Sequence, residues 1–118
     1  MGRLLAAVIA ASTLMSPRLA SGADYAPIDC SKASSPAQRA ICQTYSLGQA
    51  EARMATLFGI ATSLVAMGQR GDIGDAQRQW LKTREACGGK VACLTKAYDA
   101  RIAQLNQVID DIASRGPY

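Results

Sequence analysis

Residues 76–113 read AQRQWLKTREACGGKVACLTKAYDARIAQLNQVIDDIA. In the second half of this stretch Leu94, Ala97, Tyr98, Arg101, Ile102, Leu105, Val108, Ile109 and Ile112 fall on one stripe at helical spacing. The spacing predicts a helix over about Val91–Ala113, ended by Gly116-Pro117. In the first half Gln77, Trp80, Leu81 and Arg84 share one face of a shorter helix over about Ala76–Ala86. Gly88-Gly89 breaks the chain between the two, so they are expected to fold back as an antiparallel hairpin. No stretch alternates with period two for long enough to suggest a strand.

Upstream, Leu47, Ala50, Met54, Leu57, Phe58, Ala61, Leu64 and Val65 form another regular stripe, which predicts a helix from about Leu47 to Met67. Gly68, Gly71 and Gly74 then suggest a polar loop, with Asp75 as the cap of the following helix. Nearer the start, Ser35-Pro36-Ala37-Gln38 reads as a helix N-terminus. Ser35 caps, Pro36 takes the first helical position and Gln38 completes a capping box. That helix should be short, reaching about Cys42 or Gln43, after an extended lead-in over residues 24–34. The fold class expected is all-α, a small disulfide-stapled bundle of about four helices.

The staples are Cys30, Cys42, Cys87 and Cys93. Four cysteines allow three pairings. Cys30–Cys42 with Cys87–Cys93 is favoured because each closes a short local loop, and the second would clamp the hairpin turn. Zinc fits poorly, since the chain has no histidine and its cysteines are separated by 11, 44 and 5 residues. A thiol oxidoreductase would be expected to show a C-x-x-C motif, which is absent.

An even cysteine count in a short chain points to export, and the N-terminus agrees. Arg3 precedes an apolar run from Leu4 to Met15, too short to span a bilayer, and Ser21-Gly22-Ala23 supplies small residues for cleavage. Residues 1–23 are therefore expected to be a signal peptide cut after Ala23, leaving one domain over 24–118 in the periplasm or outside the cell. Pro27-Ile28-Asp29 before Cys30 is not a lipobox, so no stable membrane anchor is expected. The whole chain carries 13 basic against 9 acidic side chains. Without Arg3 and Arg18 the net charge falls from +4 to +2, and the positive residues are dispersed, which argues against nucleic acid. Oligomeric state does not follow from these features.

Catalytic residues are not apparent. There is no histidine to serve as a general base, and each cysteine is better explained as half of a bridge. The spaced glycines lack the Lys-Ser/Thr of a phosphate loop. No enzyme activity, cofactor or metal is expected, and Asp110-Asp111 reads as solvated surface. More informative are Gln77, Trp80, Arg84, Tyr98 and Arg101, because two arginines and a glutamine share stripes with core residues. Buried guanidinium groups need acceptors, for which Glu51 and Tyr98 are available. Two readings stay open for these five residues: an internal polar clasp, which is favoured, or a recognition patch rich in interface anchors.

Taken together, Asp29-Cys30, Ser35-Pro36, Ala40-Ile41-Cys42, Leu47 and the stripe to Phe58 form the first half of a recognisable pattern. The second half is Gln77-x-x-Trp80-Leu81-x-x-Arg84-x-x-Cys87, then Cys93-Leu94-x-x-x-Tyr98-x-x-Arg101-Ile102. The whole resembles the lysozyme inhibitor LprI N-terminal domain family over nearly all of residues 24–118. Where that family usually shows a Leu-Asp pair and a later Tyr, this sequence has Ala50-Glu51 and Phe58, keeping the acid in kind and losing the hydroxyl. The resemblance implies an exported, cysteine-bridged helical domain and, for the naming member, inhibition of host lysozyme. The expected function is a lysozyme-inhibitor-like binding protein whose partner is a lysozyme or another cell-wall lytic enzyme. The alternative is a periplasmic interaction or stress protein, or a chaperone, with a different protein partner.

Overall fold

Ser35 begins the first helix through the capping box its neighbours predict. Its hydroxyl accepts from the Gln38 N–H at 3.0 Å, and the Gln38 side chain accepts in return from the Ser35 N–H at 3.4 Å. In the computed structural model, which describes residues 27–115, this helix, α1, spans Pro36–Gln43. The expected signal peptide and the Gly116-Pro117 stop lie outside the described residues. Instead of a wholly extended lead-in, a single 3-10 turn spans Cys30–Lys32. Asp29 nucleates it by accepting from the Ser31 N–H at 3.1 Å and the Ser31 hydroxyl at 2.6 Å.

Only Thr44 separates α1 from α2, which spans Tyr45–Ser63. This helix starts two residues earlier than the periodicity suggests and stops four residues sooner. Its end is set by Arg70, whose Nε donates to the Thr62 carbonyl at 2.8 Å and whose Nη2 donates to the Val65 carbonyl at 3.3 Å. Carbonyls that no helical N–H reaches are thereby satisfied.

The largest departure is in α3, which spans Met67–Ala86. The expected glycine loop over 68–74 is helical, and Asp75 is an interior residue ion-paired with Arg78 rather than a cap. The reason is tertiary. Ile73 extends the stripe of Gln77, Trp80 and Arg84 back by one turn and is buried, and its carbonyl accepts from Arg101. Three interior glycines each cost about 1 kcal/mol relative to alanine, and this packing offsets that cost.

At the other end of α3, Gly88 takes a left-handed conformation with φ 57°, which reverses the chain within four residues. Helix α4 then runs Val91–Ala113, as its stripe predicts. Two successive hairpins make α2 and α4 parallel, with α3 antiparallel to both. The register is visible in side-chain pairs: Glu51 meets Arg84 and Met54 meets Gln77 across α2–α3. Across α3–α4, Trp80 meets Ala97 and Gln77 meets Arg101.

The result is a small all-α bundle with no strand among the described residues. Its core runs from Ala37 and Ile41 of α1 through Leu47, Met54 and Ala61 of α2 to Leu94, Tyr98, Leu105 and Ile112 of α4. Truncating a fully buried leucine such as Leu47, Leu94 or Leu105 to alanine costs about 2–5 kcal/mol. Cys30–Cys42 and Cys87–Cys93 are bridged, with Cα atoms 5.7 and 5.5 Å apart. By loop-closure entropy the two bridges contribute about 3 and about 2 kcal/mol respectively. Such bridges fit an oxidising compartment. No helix among the described residues is long and apolar enough to cross a membrane.

Candidate functional site

Arg84 lies two turns of stripe beyond Gln77, and the hairpin register carries it to the junction of all four helices. Its side chain is 8% exposed. From α3 its Nη1 reaches Glu51 Oε2 of α2 at 3.4 Å, and its Nη2 and Nε reach Glu85 Oε1 at 2.9 and 3.3 Å. The Tyr98 hydroxyl of α4 donates to the same Glu51 oxygen. Ser35, the cap of α1, lies near Glu85 and favours its ionised form. One guanidinium thus sits where α1, α2, α3 and α4 meet, among two carboxylates, a phenol and a serine.

The aromatic groups complete this junction. Trp80 Nε1 donates to the Ala97 carbonyl at 2.8 Å, which ties the hairpin's two helices together. Its ring meets Tyr98 edge-on, with centroids 5.1 Å apart and planes at 64°. Arg84 Cζ lies 5.7 Å from the Trp80 ring centroid, within reach of a cation–π attraction.

The protonation states follow from this geometry. Burial opposes charge on Arg84, but the hydrogen bond to Glu85 and the neighbouring Tyr98 and Glu51 outweigh it and raise its pKa. Burial, then the charge and hydrogen bond of Glu51, push the Tyr98 phenol well above its ordinary value, only partly opposed by Arg84. Burial also acts on Glu85, yet Ser35, the hydrogen bond from Arg84 and the Arg84 charge hold its carboxyl below the usual range. Tyr98 is therefore a neutral donor, and Arg84 a permanent cation between two acids.

One turn of the bundle further along, Arg101 is 3% exposed and bonds only to neutral acceptors. Its Nε donates to Gln77 Oε1 at 2.9 Å, its Nη1 to Gln104 Oε1 at 3.2 Å and its Nη2 to the Ile73 carbonyl at 3.3 Å. Gln77 is oriented from its other end by a contact from Nε2 to Met54 Sδ at 3.2 Å. Burial lowers the Arg101 pKa, but a guanidinium stays charged at physiological pH.

All five residues singled out in the sequence are thus in the interior or at its margin. Trp80, Arg84, Tyr98 and Arg101 are buried, Gln77 is half-buried, and their polar groups bond inward. Glu51 takes the acceptor role that its position suggested. Sequence reasoning missed Glu85, Ser35 in its second role, Gln104 and the Ile73 carbonyl. A weak signal existed for Glu85, since an acid beside Arg84 at the end of a helix is an available counter-ion, but its neighbour Ser35 is 50 residues away.

No protein-family model, curated protein or solved structure matches this chain. What the molecule offers a partner is therefore read from its surface. A shallow groove of about 400 Å³ follows the outer side of the hairpin between Thr83, Ala86, Lys96 and Ala100, with few polar groups to orient a ligand. The more distinctive feature is the α2–α3 corner. Ile60, Leu64 and Met67 are 42%, 53% and 84% exposed there, although Leu64 belongs to the stripe expected to be buried.

Proposed function

We propose that this chain is an exported, lysozyme-inhibitor-like binding protein that acts by complex formation and not by catalysis. The observation that carries the reading is the interlocking of the residues on which the family resemblance rests. Arg84 and Tyr98 share Glu51, Gln77 and Arg101 bond to each other one turn away, Trp80 packs on Tyr98, and the Cys87–Cys93 bridge closes the hairpin that bears them. A motif spent on rigidity leaves recognition to exposed faces, which is how a small preorganised binding domain is built. The two disulfides support residence in an oxidising compartment, the periplasm or the medium, reached through the signal peptide expected at residues 1–23.

The test is a titration of the oxidised, processed chain into a panel of lysozymes, with cell-wall lysis and direct binding followed together. Saturable binding with stoichiometric loss of lysis is the expected result for at least one of them. Absence of binding across the panel overturns the reading. The exposed Leu64 and Met67 favour a second reading, a chaperone for other exported proteins. That role predicts increased binding of an apolar dye on a change of pH or redox state, and capture of unfolded rather than native clients.

A further inference from the structure

Two features at one end of the bundle run against what the isolated chain favours. The first is the apolar corner of Ile60, Leu64 and Met67, left exposed where α2 turns into α3. The second is the last turn of α4, which carries Asp110 and Asp111 and no basic residue. Helix C-termini favour cations, so two carboxylates there oppose the helix dipole. The parallel register places both features together. From the Glu51–Tyr98 contact, α2 and α4 each advance 12 residues, to Ser63 and Asp110, about 18 Å along the same direction.

The charges around this end lean to one sign, with the four carboxylates of Asp72, Asp75, Asp110 and Asp111 against the three guanidinium groups of Arg70, Arg78 and Arg115. Asp75 is paired with Arg78, and Arg70 is spent on the carbonyls of Thr62 and Val65. Arg115 follows α4 as an exposed cation. Asp72, Asp110 and Asp111 are exposed and have no ion-pair partner among the described residues, and the Asp111 carboxylate accepts from the Gln107 amide. The opposite end carries exposed Lys82, Lys90 and Lys96 around the hairpin turn. The bundle is thus polarised along its axis, although its overall charge is weakly positive.

We propose that the end formed by Ile60, Leu64, Met67, Asp110 and Asp111 is a docking surface for a cationic protein. Exposed apolar side chains at the same end as unpaired carboxylates suit a partner that carries lysine or arginine beside an apolar patch. There the partner's cations take the place that basic residues would hold in the last turn of α4. This rests on the protein-binding reading above and adds to it where the contact is made and what sign of charge it selects.

The experiment measures binding of the oxidised protein to the same panel of lysozymes and to the basic protein cytochrome c, at low salt and at 0.5 M salt. Three double variants are compared with the parent chain: Leu64→Ser with Met67→Ser, Asp110→Asn with Asp111→Asn, and Lys82→Ser with Lys96→Ser at the opposite end. All six positions are exposed, and circular dichroism with a thermal melt verifies that each variant folds. The expected result is lysozyme binding weakened tenfold or more by each of the first two pairs and unchanged by the lysine pair. Salt should weaken the parent more than the aspartate variant. If lysozyme binds and the first two variants bind like the parent, the docking surface is overturned while the lysozyme reading survives. If lysozyme does not bind but cytochrome c does, with the same pattern of losses, the docking surface stands and the lysozyme reading falls. Binding of neither probe overturns both.

Discussion

Removing the Arg84 guanidinium leaves the Glu51 carboxylate, with its side chain 8% exposed, beside only the Tyr98 hydroxyl. A buried charge deprived of its partner costs about 3–5 kcal/mol, whereas replacing both members with apolar groups is often neutral. Arg84→Met is therefore expected to destabilise the fold by about that amount, and Glu51→Leu added to it should restore much of the loss. Urea unfolding of the two single variants and the double variant closes the cycle. Equal or additive losses would show that the ion pair does not couple α2 to α3. The sequence made Arg84 and Arg101 conspicuous, because guanidinium groups on a core stripe need buried acceptors. Glu51 was an available acceptor for Arg84. For Arg101 the acceptors are the Gln77 and Gln104 amides and the Ile73 carbonyl, which carry no charge and leave no distinctive mark on the sequence.

Among the helices, α3 shows where local signals are overruled. Gly68 and Gly71 have nothing within 4 Å of the position a Cβ would occupy, and neither has positive φ. Gly68→Ala and Gly71→Ala are each expected to stabilise the protein by about 0.4–1 kcal/mol through the unfolded chain's lost freedom. Gly88→Ala should act in the opposite sense by about 1–2 kcal/mol, since φ 57° is costly for an L side chain. Denaturant midpoints of the three variants measure this, and a stabilising Gly88→Ala would contradict the left-handed cap. By contrast, α1 and α4 were legible throughout. Their signals, a capping box and an uninterrupted stripe, need only residues within a few positions of one another.

For the molecule as a whole, the junction makes stability depend on pH from both sides. The Glu85 pKa is lowered by folding, so its contribution is present above the ordinary glutamate value near 4.5 and is lost as pH falls through the lower folded value. The carboxylate is 38% exposed, so solvent screening keeps this contribution small. Tyr98 behaves oppositely. Its pKa is raised by folding, so the folded state is favoured at neutral pH and loses ground as pH rises above the ordinary phenol value near 10. Melting temperatures from pH 3 to 11 are expected to fall at both extremes. The acid limb should flatten in Glu85→Gln and the alkaline limb in Tyr98→Phe, and unchanged limbs in these variants would remove the assignments.

The sequence by itself determined the all-helical class, the ends of α1 and α4, the break at Gly88-Gly89, and which pairing of Cys30, Cys42, Cys87 and Cys93 to favour. Each of these depends on neighbours close along the chain. Only the tertiary structure decided that α3 begins at Met67, that Ser35 lies near Glu85, and that Leu64 is exposed while the aspartates of α4 lie at the same end. Those outcomes depend on the register of α2, α3 and α4. It is set by contacts such as Glu51–Arg84 and Glu51–Tyr98, 33 and 47 residues apart, which form only when the packed core brings the helices together.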